Sequence, residues 1–165
     1  IKASIFTPRE LSDAMLVGAK QLEASVKMRV FNDGIATSGQ AIGNYKSYKL
    51  YANRSKFIRK SLFRPTPPTR KTMTFQEGWQ GLRRYQGLST DRVNLSYSGA
   101  LQLSIQTFAE GNDAVLAIAS KDGKEKRENM ERLYGQVFTP STKDVAQFSA
   151  AVDVYLLRVT ANKLK

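Results

Sequence analysis

The sequence predicts an α+β fold, in which a small antiparallel sheet with a β-hairpin is packed by long N-terminal and C-terminal helices. Apolar residues recur at helical spacing near the beginning and the end of the chain. Residues of strand-like pattern and a hairpin loop lie between them, and no segment repeats. Helices that flank a run of strands are typical of the α+β class. At 165 residues, the chain is expected to form a single domain over 1–165.

The N-terminal helix is predicted over residues 8–31. Thr7 is a suitable N-cap, Pro8 suits the first helical position, and Glu10 completes a capping box with Thr7. Gly34 is expected to end the helix, because glycine tolerates the left-handed conformation there. One apolar stripe runs along this helix at spacings of three and four residues. It consists of Leu11, Met15, Ala19, Leu22, Val26 and Val30.

Residues 33–71 are predicted to form an extended loop or arm inserted in the α+β core. The arm begins among glycines and small polar residues and ends in a segment, 64–70, that contains three prolines. Proline removes a backbone donor and fixes φ, so this segment suits neither a helix nor a central strand. A short strand is predicted near Tyr48 and Leu50, where apolar and polar residues alternate.

Positive charge is concentrated in one part of the chain. The net charge is +12, and residues 46–92 contain twelve Lys or Arg against two acidic residues. The remainder contains fourteen basic and twelve acidic residues. Such a concentration creates a local positive field that suits either nucleic-acid phosphate or an acidic protein surface.

The middle of the chain is predicted to contain a second helix and a strand. Thr74 and Glu77 fit a second capping box, and Phe75, Trp79 and Leu82 would share one face of the helix. Trp79 is interpreted as a core or interface anchor. Further on, the alternating apolar residues of 93–97 predict a half-buried strand.

The second half of the chain is predicted to contain a hairpin and two helices. Residues 101–108 should begin as a helical turn and become extended, 110–113 should form the loop, and 114–119 should return as a central strand. A short, charged helix is expected over 121–132, and a final helix from Ser141 to about Asn162. We expect the final helix to pack with the first helix against the sheet. Its predicted stripe consists of Val145, Phe148, Val152, Leu156 and Val159.

The composition argues against most catalytic chemistry. The chain contains neither cysteine nor histidine, which excludes thiolate nucleophiles, Cys-ligated metals and histidine general bases. Paired-carboxylate or Mg²⁺ chemistry stays formally open, but no acidic residues cluster beside a plausible strand end. We predict no enzyme activity, no cofactor, and no catalytic or metal site. No apolar run is long enough for a bilayer, and the first residues lack a signal-peptide layout, so a cytoplasmic location without membrane contact is expected.

Two interpretations of the basic segment stay open. Aromatic residues, among them Tyr48, Tyr51 and Phe57, are interleaved with its Lys and Arg, as in proteins that bind single-stranded nucleic acid. Alternatively, the segment is a solvated arm that orders against a neighbouring subunit. No RNA-binding module signature accompanies the charge, which favours the assembly interpretation. Residues expected to face a neighbouring subunit or DNA are Lys46, Lys49, Arg54, Lys56, Arg59, Lys60, Arg64, Arg70, Lys71, Arg83 and Arg84.

The order of these parts resembles a known family. Ser98, Gly99, Leu101, Ser104 and Ile105 fit a [ST]-G-x-L-x-x-S-I element that precedes a hairpin. An aromatic–glycine turn and a proline before the final helix follow. Their positions here are Gly135 and Pro140. In these features the chain resembles the virion-morphogenesis and tail-completion (neck, head–tail joining) proteins of long-tailed phages. The resemblance spans most of the chain.

The resemblance implies a structural virion protein. Proteins of this family form a ring, here expected to be a hexamer or a dodecamer, between the DNA-filled head and the tail. The implied partners are other copies of the chain, the connector (portal-proximal) proteins, tail proteins, and packaged DNA in the channel. The implied location is the neck or tail of a virion that is assembled in the host cytoplasm. No chemistry is required of the chain.

Overall fold

The computed structural model describes residues 5–45, 48–53, 72–95, 99–110 and 113–164. Helices and two small antiparallel sheets, each of two strands, confirm the α+β class. The chain divides into two compact units: unit 1 comprises Ile1–Gln40 and Asn94–Lys165, and unit 2 comprises Ala41–Val93. We predicted one domain with an arm over 33–71. Residues 33–40 of that arm belong to unit 1, and unit 2, which begins at Ala41 and extends to Val93, has a small core of its own.

The first helix, α1, spans Pro8–Lys27 and begins with the predicted capping box. The backbone N–H of Thr7 donates to Glu10 Oε2 at 2.7 Å, and the N–H of Glu10 donates to Thr7 Oγ1 at 3.2 Å. These bonds satisfy two donors that a helix end leaves unpaired. The helix continues as a π-helical turn over Met28–Asp33, and Gly34 ends it at φ +66°. The predicted helix is therefore confirmed, with a wider last turn.

The β-hairpin of unit 1 packs against α1. Its strands are β3, Ile105–Glu110, and β4, Asp113–Ile118, which pair antiparallel with Ile105 opposite Ile118. A five-residue helix, Ala100–Ser104, leads directly into β3, as predicted for a helical turn that becomes extended. In the described part of the chain β4 pairs only with β3, so the prediction of a central strand is wrong.

Glu23 of α1 covers the outer edge of β3. Glu23 Oε2 accepts hydrogen bonds from the Thr107 backbone N–H and from Thr107 Oγ1, both at 2.9 Å. Its other oxygen accepts from Lys27 Nζ at 2.6 Å. An unpaired strand edge is a template for unwanted pairing, and a side chain bonded to it removes that template locally. The contact therefore joins α1 to the hairpin and protects the edge.

The last helix covers the other side of α1. It spans Thr142–Lys163 and starts with a capping box between Ser141 and Asp144, close to the predicted bounds. Phe148 and Val152 lie against Gly18 of α1, which is buried. Helix α1 thus lies between this helix and the hairpin. We expected both helices to pack on the sheet, but the extensive hairpin contacts come from α1. A further helix, Lys121–Tyr134, precedes the last helix in the chain and contains the predicted charged helix over 121–132.

In chain order, the α-helices of the described residues are named α1 (Pro8–Lys27), α2 (Gly78–Tyr85), α3 (Ala100–Ser104), α4 (Lys121–Tyr134) and α5 (Thr142–Lys163). The strands are β1 (Leu50–Asn53), β2 (Thr72–Phe75), β3 (Ile105–Glu110) and β4 (Asp113–Ile118). No helix within the described ranges is long and apolar enough to cross a membrane.

Unit 2 is built from β1, β2 and α2. The two strands pair antiparallel, with Leu50 opposite Phe75. Phe75 and Leu82 form its buried centre, and Trp79 packs against them, as its predicted anchoring role requires. The predicted capping box is wrong, because Thr74 pairs with Tyr51 in the sheet and α2 starts at Gly78 without a side-chain cap. Strand pairing therefore takes the residues that sequence pattern assigned to the helix start.

The predicted strand over 93–97 is not formed in its described part. Val93, Asn94 and Leu95 belong to neither sheet, and Leu95 has a φ of +49°. A leucine in this region of φ is uncommon and is incompatible with an extended strand. Residues 96–98 lie outside the described residues.

Candidate assembly surface

Most of the predicted contact residues lie outside the described part of the chain. These residues are Lys46, Arg54, Lys56, Arg59, Lys60, Arg64, Arg70 and Lys71. The structure describes the remaining three, Lys49, Arg83 and Arg84. All eleven belong to unit 2.

The three described cations have different surroundings. Lys49 is exposed, and its ammonium lies 5.5 Å from the ring centre of Tyr51, which is 63% exposed. Arg84 is exposed and forms an ion pair with Glu77 at 2.5 Å. Arg83 is buried: its Nε donates to the backbone oxygen of Ser89 at 2.8 Å, and its guanidinium lies over the Tyr45 ring at 5.0 Å. Lys49 and Arg84 are therefore exposed to solvent, whereas Arg83 is buried and hydrogen-bonded to the loop that follows α2.

The charge distribution coincides with the division into units. Every one of the twelve basic residues between 46 and 92 falls within unit 2, together with two acidic residues. Unit 1 contains fourteen basic and twelve acidic residues and is close to neutral. The positive field is thus a property of one compact unit.

The residues of the family-like element form one structural joint in unit 1. Gly99 adopts φ +74° and precedes α3, and its carbonyl accepts from the Leu103 N–H at 2.9 Å. Leu101 and Ile105 are buried. Ser104 is buried too: its Oγ donates to the Leu101 oxygen at 2.7 Å, and its own carbonyl accepts from the Ala119 N–H at 2.8 Å. The element turns the chain, fills the core and ties α3 to the end of β4. Ser98 lies outside the described residues.

Gly135 and Pro140 delimit the turn between the last two helices. Gly135 ends α4 at φ +77°, and its N–H donates to the Glu131 oxygen at 2.9 Å. Pro140 directly precedes Ser141, the N-cap of α5. Between them, Val137 and Phe138 are buried, and the Phe138 ring lies 6.2 Å from that of Phe31.

A buried ion pair that sequence reasoning missed joins the π-helical turn after α1 to α5. Arg29 Nε donates to Asp144 Oδ2 at 2.8 Å, and both residues are buried. The guanidinium also donates to the backbone oxygens of Ile35, Val137 and Thr139, each at 3.0 Å. The Asp144 carboxylate further accepts from Ser25 Oγ and from the Ser141 backbone and hydroxyl. A buried pair is tolerated only with its remaining donors and acceptors satisfied, as they are here.

A cleft of about 450 Å³ lies beside the ion pair between Arg29 and Asp144. It is lined mainly by residues of the π-helical turn, the following loop and the start of α5. Its charged lining residues are Arg29, Asp33, Lys143 and Asp144. Of these, Arg29 and Asp144 are bonded to each other and to the backbone. Among the residues that the structure describes, no group of three or more His, Cys, Asp or Glu could hold a metal ion. We assign no ligand to the cleft.

The outer face of the hairpin has an exposed apolar pair at its centre. Phe108 and Val115 are directly opposite each other in the register and are 45% and 37% exposed. Side chains alternate between the two faces of a strand, so these residues face away from Ile105 and Ile118, which are buried. A two-stranded hairpin is marginally stable alone, and among the elements that the structure describes α1 covers one face of this one. The open face is a candidate contact for another subunit.

Acid is expected to weaken unit 1 through Asp144. Burial opposes the ionisation of this carboxyl, but the hydrogen bonds from Ser25, Ser141 and Arg29 outweigh it and keep its pKa below the ordinary value of 3.8. A carboxyl whose pKa is lowered in the folded state stabilises that state at pH values above its unfolded pKa. This contribution is lost as the pH falls through the folded pKa. The urea concentration at the unfolding midpoint of unit 1 should therefore decrease when the pH is lowered below about 4. Asp144→Asn should show a shallower fall, and an equally steep fall would contradict the prediction.

Gly99 provides a second test. We expect Gly99→Ala to lower the free energy of unfolding by about 1–2 kcal/mol, because a side chain disfavours the left-handed conformation. A Cβ at Gly99 would meet no atom within 4 Å, so the cost is one of backbone conformation alone. Gly99→Asn, which tolerates this conformation better, is the matched control and should cost less. Urea unfolding followed by far-ultraviolet circular dichroism measures both, and equal stability of the alanine variant and the wild type would contradict the prediction.

Comparison with protein-family models, with curated proteins and with solved structures found no match for this chain. The described residues define an α+β protein with one two-stranded antiparallel sheet in each of two units.

Proposed function

We propose that the chain is a structural protein of a long-tailed phage virion, which forms a ring at the head–tail junction or tail end and surrounds the DNA channel. The observation that supports the proposal is that the two units have different surfaces. Unit 1 contains the family-like element as one joint and presents open apolar surface, while unit 2 concentrates the positive charge. A ring around DNA uses both kinds of surface, one for neighbouring subunits and one for phosphate or acidic protein.

The proposal requires self-association or association with a connector. The purified chain is expected to form a closed cyclic oligomer, alone or after mixing with purified connectors or tails, seen by electron microscopy and sedimentation velocity. A chain that stays monomeric and binds neither connectors nor tails would overturn the proposal.

Charge variants separate assembly from folding. Exchanging Arg54, Lys56, Arg59 and Lys60 for glutamine should reduce assembly and leave the unfolding midpoint unchanged. A matched control removes four exposed lysines of unit 1 and should keep assembly. These control lysines are Lys20, Lys121, Lys124 and Lys143. Equal loss of assembly in both variants would show that only the total charge matters and would contradict a role for unit 2.

A second candidate function is binding of single-stranded nucleic acid, which the exposed aromatic residues of unit 2 favour. Tyr48 and Tyr51 are 48% and 63% exposed, and Lys49 lies between them. Stacking on an aromatic ring contributes about 1–3 kcal/mol per base. This function predicts binding to a short labelled oligonucleotide that weakens steeply with salt, and a weaker complex for Tyr51→Ala. Absence of binding at low salt would exclude it.

A further inference from the structure

Helix α5 is apolar on two faces, and the described part of the chain covers one of them. Phe148 and Val152 lie against Gly18 of α1. On the other side Val154, Leu157 and Leu164 are 58%, 68% and 83% exposed. A surface helix of a monomer normally has one apolar stripe, with polar residues opposite. The second face of α5 therefore requires an explanation other than the fold of unit 1.

The exposed apolar residues form a continuous seam. They are Ala150, Val154, Leu157, Ala161 and Leu164, all exposed, and they are spaced by four, three, four and three residues. This spacing is that of the a and d positions of a coiled coil, with Val154 and Ala161 at a and the others at d. The seam extends over 14 residue steps, or about 21 Å of helix. Alanine at two of the five positions lets a facing helix approach closely.

The charges that flank the seam select the direction of the partner helix. Asp153 and Arg158 are both exposed, lie on opposite sides of the seam, and are five residues apart. In a parallel pair of identical helices, a residue just before an a position meets the partner's residue five positions later. Asp153 would then meet Arg158 of a second copy, twice by symmetry. In a two-fold antiparallel pair each charge would lie on the same side as its own symmetry mate, so like charges would face each other.

We propose that α5 is a self-association helix, which pairs in parallel with α5 of a second copy of this chain. Besides the charges, a β-branched residue at a with leucine at d favours two helices in a parallel coiled coil. Val154 and Leu157 occupy those positions. The seam covers about two heptads, so the isolated contact is weak and depends on concentration. The proposal does not rest on the ring function, because the seam and its charges are properties of α5 alone.

A charge exchange tests the pairing. Sedimentation equilibrium of the full chain between about 1 μM and about 1 mM should show a dimer as the smallest associated species in equilibrium with the monomer. Asp153→Arg and Arg158→Asp should each weaken the dimer about 3- to 10-fold, because two ion pairs become repulsive. The double variant D153R/R158D should restore the wild-type association. The matched controls Glu125→Arg and Lys124→Asp make the same changes in net charge at exposed positions of α4 and should leave the association unchanged.

The apolar seam is tested separately. Leu157→Lys should weaken the dimer at least about 100-fold, because two leucines lose their burial and two cations enter the seam. Leu133→Lys is the matched control, since Leu133 of α4 is 57% exposed and lies outside the seam. The unfolding midpoint of Leu157→Lys should equal that of the wild type, which separates lost association from lost folding. A monomeric wild type over the whole concentration range, or equal association of the two lysine variants, would overturn the proposal.

Engineered cysteines test the direction, because the chain has no cysteine of its own. In a parallel pair, Ala150→Cys and Leu164→Cys should each form a disulfide-linked dimer alone, since each position meets its own symmetry mate. An antiparallel pair would separate the two copies of residue 150 by about 21 Å and would link only a mixture of the two variants. Leu133→Cys gives the rate of random collision. Linkage of the mixture alone, or at the control rate, would overturn the parallel pair.

Discussion

Asp144→Ala is expected to lower the free energy of unfolding of unit 1 by about 3–5 kcal/mol, because it leaves a buried cation without its partner. Arg29 is 7% exposed and Asp144 1% exposed. The substitution also removes the acceptor of Ser25 Oγ and the reciprocal cap of α5. Far-ultraviolet circular dichroism during urea unfolding measures the loss. The signal reports mainly on unit 1, because the three longest described helices belong to it.

A solvated ion pair is the matched control for this prediction. Lys126 and Asp122 of α4 form a pair whose side chains are 41% and 70% exposed. Lys126→Met should change the free energy of unfolding by less than about 1 kcal/mol, because exposed pairs contribute little. The double variant R29M/D144L should recover only part of the loss, because three backbone oxygens would lose the guanidinium. Equal effects of Asp144→Ala and Lys126→Met would contradict the assigned burial.

Gly18→Ala is expected to destabilise unit 1 by about 1–3 kcal/mol, because the added methyl group overpacks the contact between α1 and α5. A Cβ at Gly18 would lie 2.6 Å from Val152 Cγ2 and 2.7 Å from Phe148 Cε2. Helix propensity alone predicts the opposite sign, since alanine is favoured over glycine inside a helix by about 0.5–1 kcal/mol. The sign of the measured change therefore decides between local propensity and tertiary packing.

A double-mutant cycle completes this test. Val152→Ala alone should destabilise by creating a cavity, and in combination with Gly18→Ala the loss should be smaller than the sum, because the smaller side chain leaves room for the new methyl group. The single tryptophan, Trp79, lies in unit 2, so its fluorescence should keep the wild-type midpoint if the two units unfold independently. A stabilised Gly18→Ala variant would contradict the close approach of the two helices.

Helix starts and stops were predictable because the interactions that set them are local. Thr7 and Glu10 are three residues apart and cap α1 as predicted. The final helix begins next to Ser141, as predicted, and the structure adds a capping box between Ser141 and Asp144, which are also three residues apart. The capping box at Thr74 was wrong for the opposite reason. Thr74 pairs with Tyr51, which is 23 positions away, and no local pattern indicates that pairing.

The faces of α5 show the same limit. Its periodicity predicted a stripe through Val145, Phe148 and Val152, and Phe148 and Val152 do contact α1. Val145, however, is 49% exposed, and the apolar seam through Val154 and Leu157 lies on the open side. Periodicity identifies an apolar face but does not say whether anything covers it. When a helix has two such faces, only the position of α1 shows which one belongs to the core.

The sequence by itself determined the α+β class, the bounds of the long helices, the hairpin, and the concentration of charge between residues 46 and 92, because each depends on neighbours in the chain or on composition. Only the tertiary structure revealed that this charge belongs to a separate compact unit, that α1 lies between α5 and the hairpin, and that Arg29 meets Asp144 across 115 positions. These features depend on where the chain returns in space, and the physical reason is that burial and buried polar pairing are satisfied between distant segments.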